Sequence, residues 1–96
     1  MINLDMLYSL IPWGGENAKP GKALAKEIGC EYRAITEGVS RLRKRGEIIC
    51  ADSRGFFRPS SISEIEHFVR SMKSRKREIE AAVKSAERLL HEMGGT

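Results

Sequence analysis

The side chains able to do covalent or metal chemistry are few in this sequence, and they are scattered. Cys30 and Cys50 lie twenty positions apart, outside any CxxC spacing, and the two histidines, His67 and His91, belong to a different segment. A metal site or a structural disulfide announces itself by closer spacing, so both cysteines read as small buried hydrophobes. Serines are plentiful, but neither histidine stands beside a nucleophile and an acid. GxGxxG and the phosphate-binding loop are missing, since Gly14-Gly15 precedes no GK[ST]. No enzyme, no cofactor and no metal centre is expected. What remains is polar and cationic. Tyr32, Arg33, Thr36, Glu37, Ser40 and Arg41 crowd one short stretch, and Lys19, Lys22, Arg43, Lys44, Arg45 and Arg54 flank it. Such groups hydrogen-bond and neutralise an anionic partner.

The balance of charge agrees with that direction without forcing it. The chain has 96 residues and a net charge of +4, with a pI near 9.3. That length suffices for one modest core, and a mild basic excess favours an anionic partner weakly. The start, MINLDMLYSLIPW, carries Asp5 and no early Lys or Arg, and Pro12 breaks its apolar stretch. It does not read as a signal peptide. No run approaches the roughly 20 apolar residues needed to span a bilayer. The expectation is a soluble, cytoplasmic protein with no membrane partner.

The elements that must position these groups follow from periodicity. Leu4, Leu7, Tyr8 and Ile11 recur at helical spacing and predict a first helix over Leu4 to Ile11, ended by Pro12 and Gly14-Gly15. The polar ENAKP segment follows as a loop, with one short strand as an option. A second helix starts at Pro20 or Gly21, buries Leu24, Ala25 and Ile28, and ends at Gly29, which reads as a left-handed cap. The third helix spans about Glu31 to Arg45. Ile35, Gly38, Val39 and Leu42 form its inner face, and the bare Gly38 is expected to admit the second helix closely. Alternation over Ile48 to Ala51, a turn at Asp52 to Gly55 and a return through Phe56, Phe57 and Arg58 predict a β-hairpin. One of the two phenylalanines should point into the core. The other is expected to meet the last helix or a partner chain.

The last third is one long helix. Ser61-Ile62-Ser63-Glu64 has the form of a capping box, and neither Gly nor Pro interrupts the chain until Gly94. Ile62, Ile65, Val69, Met72, Lys76, Ile79, Val83, Ala86, Leu90 and Met93 alternate by three and four, a heptad seam with one polar position. The run from Arg70 to Arg77 holds five cations and no acid. It reads as a solvated face, with a second nucleic-acid patch as the alternative. The seam needs a partner, and Ile65, Val69, Met72, Ile79, Val83, Ala86 and Leu90 are its expected dimer contacts. An antiparallel self-pair centred near Arg77 fills each layer, whereas a parallel pair brings Lys73, Arg75 and Lys76 toward their own copies. Folding back on the first helix is the other option.

Ala25, Gly29, Ile35, Gly38-Val39 and Leu42-Arg43-Lys44-Arg45-Gly46, followed by a strand and a Gly-aromatic-aromatic hairpin, resemble the winged helix–turn–helix family, in particular the biotin-repressor-type N-terminal DNA-binding module. The likeness covers roughly Leu4 to Pro59. It leaves out the long helix and has no counterpart of the ligase part of that repressor. Small prokaryotic and phage regulators share this shape. The resemblance implies a mainly α fold with a small β-wing. The domains would be a winged helix–turn–helix over 1–59 and a coiled-coil-like dimerisation helix over 60–96.

The resemblance further implies that the exposed face of helix 31–45 reads bases in duplex DNA through Tyr32, Arg33, Thr36, Glu37 and Ser40. Arg33 suits guanine, and Thr36 and Ser40 are short enough for base edges. Lys19, Lys22, Arg41, Arg43, Lys44, Arg45 and, at the tip of wing 48–58, Arg54 would contact the sugar–phosphate backbone. Glu31 and Glu37 are repelled by phosphate unless they accept from cytosine or orient an arginine. The expected function is transcriptional regulation as a DNA-binding homodimer, with no small-molecule effector evident. The alternative is an assembly module that uses the same fold and the long helix for protein contacts alone.

Overall fold

The computed structural model describes residues 2–95. The order of elements is α1 (Leu4–Leu10), a 3₁₀ turn (Gly15–Asn17), α2 (Gly21–Ile28), α3 (Tyr32–Lys44), β1 (Cys50–Asp52), β2 (Gly55–Phe57) and α4 (Ile62–Glu92). The chain divides into two compact units, Met1–Ile65 and Glu66–Thr96.

Local chemistry sets the ends of the elements in the first unit. The Asn3 side chain accepts from the Met6 N–H at 3.1 Å and caps α1. Pro20 opens α2, and Gly29 closes it at φ +83°, a left-handed conformation that costs a residue with a Cβ considerably more. Glu31 precedes α3 without capping it through its side chain, and Arg45 ends the helix. The two strands pair antiparallel, with Cys50 opposite Phe57 and Asp52 opposite Gly55. Lys19 adds an isolated antiparallel bridge to Phe56, with backbone bonds of 3.0 and 2.9 Å, and Trp13 bridges Arg58 in parallel. The loop after α1 therefore contributes single bridges to the hairpin edge, not a strand. At Gly55 a Cβ would run into the Lys19 carbonyl, so the bare residue is what lets the loop lie against the hairpin.

One aliphatic cluster holds these elements together. Leu7, Ile11, Leu24, Ile35, Leu42 and Ile49 are fully buried, with Val39 and Ala25 beside them. Each such Leu, Ile or Val contributes about 1.5–3 kcal/mol of transfer free energy. Among the described residues no polar or charged side chain is buried. The inner face of α3, Ile35, Gly38, Val39 and Leu42, is the one its periodicity predicted.

Three expectations are corrected. Gly38 admits α1, not α2: a Cβ there would lie 2.6 Å from Leu7 Cδ2, and its other near neighbours are Ile2 and Leu4. The first strand begins at Cys50 and not at Ile48. The Ile49 carbonyl is taken by the Arg43 guanidinium, at 3.0 and 2.7 Å. Ile48 is left exposed and Ile49 is fully buried. Phe57 is the buried phenylalanine, as one of the pair had to be. Phe56 is half-buried against Gly21 and the edge of the core within its own unit.

The last helix, α4, runs unbroken from Ile62 to Glu92. At a rise of 1.5 Å per residue its 31 residues extend about 46 Å. None of its described residues is buried. Along the seam Ile65, Val69, Ile79, Val83 and Leu90 are all exposed. No helix among the described residues is long and apolar enough to cross a membrane.

Candidate nucleic-acid interface

The exposed side of α3 is the back of its buried stripe. Because Ile35, Gly38, Val39 and Leu42 face inward, Tyr32, Arg33, Glu37, Ser40 and Arg41 are carried outward, and Thr36 stands half-buried between them. The structure thus brings the five residues expected to read bases onto one helix. Their chemistry is partly taken up within it. Arg33 Nε donates to Glu37 Oε1 at 3.1 Å, one turn away. Both side chains are largely exposed, at 84% and 61%. A pair this open is worth only about 0.3–0.5 kcal/mol, so a stronger acceptor can draw the guanidinium away. Glu37 here holds an arginine in place, one of the two roles expected for it. The Thr36 hydroxyl donates to the Arg33 carbonyl at 2.9 Å. Tyr32 packs its ring on Gly21. With Pro20, Lys22, Asp52, Arg54 and Phe56 it lines a shallow groove between the start of α2 and the hairpin.

The seven residues expected at phosphates fall into two groups. Lys22, Arg41 and Lys44 are exposed, and among the described residues their side chains make no ion pair or hydrogen bond. The other four are engaged inside the unit. Lys19 Nζ pairs with Glu27 at 2.9 Å. Arg45 reaches Asp5 at 3.2 Å. Arg43 donates two bonds to the Ile49 carbonyl, and this anchors the end of α3 to the chain entering β1. Arg54, at the hairpin turn, grips Asp52 through Nε and Nη2, at 3.1 and 2.6 Å. That bond raises the guanidinium pKa above its ordinary value.

Four features were not read from the sequence. Lys26 is a fourth exposed cation without a partner among the described residues, one turn along α2 from Lys22. A plain i, i+4 count would have found it. Arg58 is held between two rings, 4.2 Å from the Trp13 centroid and 4.5 Å from that of Tyr8, while its Nε donates to the Ile11 carbonyl at 2.7 Å. Residues 8, 13 and 58 carry no sequence signal of that meeting. Glu64 makes only half of the expected capping box: its N–H donates to the Ser61 hydroxyl at 3.2 Å, and its carboxylate bonds elsewhere. Its Oε2 accepts from the Gly15 N–H at 2.7 Å and its Oε1 from the Ser60 N–H at 2.8 Å. These backbone bonds, with the Ser60 hydroxyl and the nearby Arg54 charge, hold the carboxyl below its ordinary pKa. The thiols also differ. Cys50 is buried and burial, ahead of the Glu64 charge, raises its pKa, whereas Cys30 is half-buried.

On α4 the cations of the 70–77 run stand exposed along the helix. Lys76 leans toward Glu80 at 3.9 Å. The expected dimer contacts Ile65, Val69, Ile79, Val83, Ala86 and Leu90 are exposed and Met72 is half-exposed. Compared with family models, with curated proteins and with solved structures, the chain matches none of them.

Proposed function

We propose that the chain binds duplex DNA as a homodimeric regulator of the winged helix type. In this reading α3 enters the major groove, the hairpin is the wing, and a second copy covers the seam of α4. The observation that carries it is the outward row of Tyr32, Arg33, Thr36, Glu37 and Ser40 on α3, bordered by Lys22, Lys26, Arg41 and Lys44, which are unpaired among the described residues. Arginine and short hydroxyl side chains on one exposed helix face suit base edges, and unpaired cations beside them suit phosphates.

Fluorescence anisotropy of a labelled random duplex at several salt concentrations tests the reading. These four cations on one unit correspond to a log–log slope of about −4, steeper if both units of a dimer engage. At a cognate site Arg33→Ala should cost about 1–3 kcal/mol and relax one base position. Lys44→Ala should weaken all sequences alike and lower the slope by about one. Absence of binding at low salt would overturn the reading.

A second reading, a module that assembles with other proteins, is favoured by a specific observation. Six of the unit's arginine and lysine side chains, Lys19, Arg33, Arg43, Arg45, Arg54 and Arg58, already serve carboxylates, carbonyls or rings of the unit itself. Salt-sensitive duplex binding would exclude it as the main function.

A further inference from the structure

We infer that α4 pairs with α4 of a second copy in the antiparallel sense, in the register that sets Lys76 opposite Ile79. The inference rests on the reading above that a second copy covers the seam. The seam is palindromic about the point between Arg77 and Glu78. In that register Ile62 meets Met93, Ile65 meets Leu90, Val69 meets Ala86, Met72 meets Val83 and Lys76 meets Ile79. All ten seam positions are then used, each layer twice by symmetry. The helix has no break between Ile62 and Glu92 that would interrupt the layers. Ile62, Ile65, Val69, Ile79, Val83, Leu90 and Met93 are exposed, at 42–78% of their surface.

Flanking positions decide the direction. In an antiparallel coil like flanks face each other, which puts Phe68 against Leu89 of the second copy at both ends. Leu89 is 56% exposed and lies off the seam itself, so it has no other use in the pair. On the other flank Lys73 faces Glu80, again twice, and Glu66 faces Glu87 unfavourably. A parallel coil offers Arg75 opposite Glu80 in exchange. However, it stacks Lys76 on Lys76 within the seam and sets Phe68 against Lys73 and Leu89 against Gly94. The rim charges of the two arrangements nearly balance, since exposed pairs are weak. The like charges inside the seam and the two lost apolar contacts do not balance. In the antiparallel pair Lys76 can pass its ammonium out toward Glu80 of its own helix, where it already points.

A charge swap on the full chain distinguishes the directions. In the antiparallel pair Lys73→Glu sets the introduced carboxylate against Glu80 twice, and sedimentation equilibrium should read a dimer weakened roughly tenfold. Adding Glu80→Lys restores opposite charges and should return the dissociation constant to near the wild-type value. In a parallel pair the carboxylate introduced by Lys73→Glu meets only Phe68 and changes little, while the double variant sets its introduced ammonium against Arg75 and is weaker still. A wild-type dimer with no rescue by Glu80→Lys overturns the direction and leaves the second copy standing. A wild-type chain that stays monomeric at about 100 µM overturns both.

Discussion

Gly38 sits where α1 crosses α3, and it can be tested as a spacer. A Cβ placed there lies 2.6 Å from Leu7 Cδ2, about 1 Å inside ordinary contact, so the Leu7 side chain, fully buried in the core, must shift. Gly38→Ala therefore has two opposing effects. The helix gains about 0.8–1 kcal/mol of propensity. Overpacking against Leu7 costs about 1–3 kcal/mol. The net expectation is a loss of up to about 2 kcal/mol, which with a urea m-value near 1 kcal/mol/M moves the midpoint down by up to about 2 M. Far-UV circular dichroism and Trp13 fluorescence would follow the transition. The second arm is a cycle with Leu7→Ala, which alone should cost about 2–5 kcal/mol. In the double variant the clashing methyl is gone, so the combined loss should fall short of the sum by about 1–3 kcal/mol, beyond the usual scatter of about 0.3–0.5 kcal/mol for independent sites. A Gly38→Ala variant stabilised by its propensity alone, or two losses that simply add, would refute the spacer role.

Other expectations follow from the polar contacts. Glu37→Gln frees Arg33 from its exposed pair. Stability should change by no more than about 0.5 kcal/mol, while duplex affinity rises. Affinity that falls instead would mean that Glu37 itself contacts the DNA. Glu64 has a folded pKa below its ordinary value of 4.5. Its contribution is present in full above pH 4.5 and is lost as the pH falls through the lower folded value. Thermal unfolding between about pH 6 and 3 should show this loss, and Glu64→Gln should flatten that part of the profile. Under native conditions a thiol reagent should modify Cys30 first and Cys50 only on unfolding, because burial keeps Cys50 protonated and covered. Equal rates would contradict the packing of β1. Ile79→Asp places a carboxylate in the seam and should leave the chain monomeric at micromolar concentration, as gel filtration would read.

What the sequence disclosed and what it withheld divide along the range of the interaction. The bounds of α2 and α3 were legible because Pro20, Gly29 and the helical spacing of Ile35, Val39 and Leu42 act within a few residues of chain. The hairpin was legible from the turn at Asp52 to Gly55. Its starting point was not, because the Ile49 carbonyl is claimed by Arg43, a side chain from the preceding helix. The spacing puts Gly38 on the inner face of α3, where it lies, but does not say that α1 and not α2 packs on it. Periodicity gives the face of a helix and says nothing of which element lies against it. The cations show the same limit most clearly. Lys19 and Arg45 read as phosphate ligands by type and position, yet the fold brings each a carboxylate, from Glu27 and Asp5, whereas the Asp52 partner of Arg54 lies only two residues away in the same turn. The stacking of Arg58 between Tyr8 and Trp13 joins three points that no local pattern connects.

The absence of any buried residue along the described part of α4 has a consequence for the life of the chain. A helix that buries no side chain keeps little beyond its own propensity, and an isolated helix is marginal in water. If a second copy covers the seam as proposed, the order of α4 depends on whether that copy is at hand, and so on how much of the protein has been made. Below the dissociation constant, the lysines and arginines between residues 70 and 77 would sit in fraying backbone that a protease can grip. Above it, the same bonds would be shielded. Abundance would then govern survival, and scarce copies would be cleared while plentiful ones persist, with no second component to sense the level.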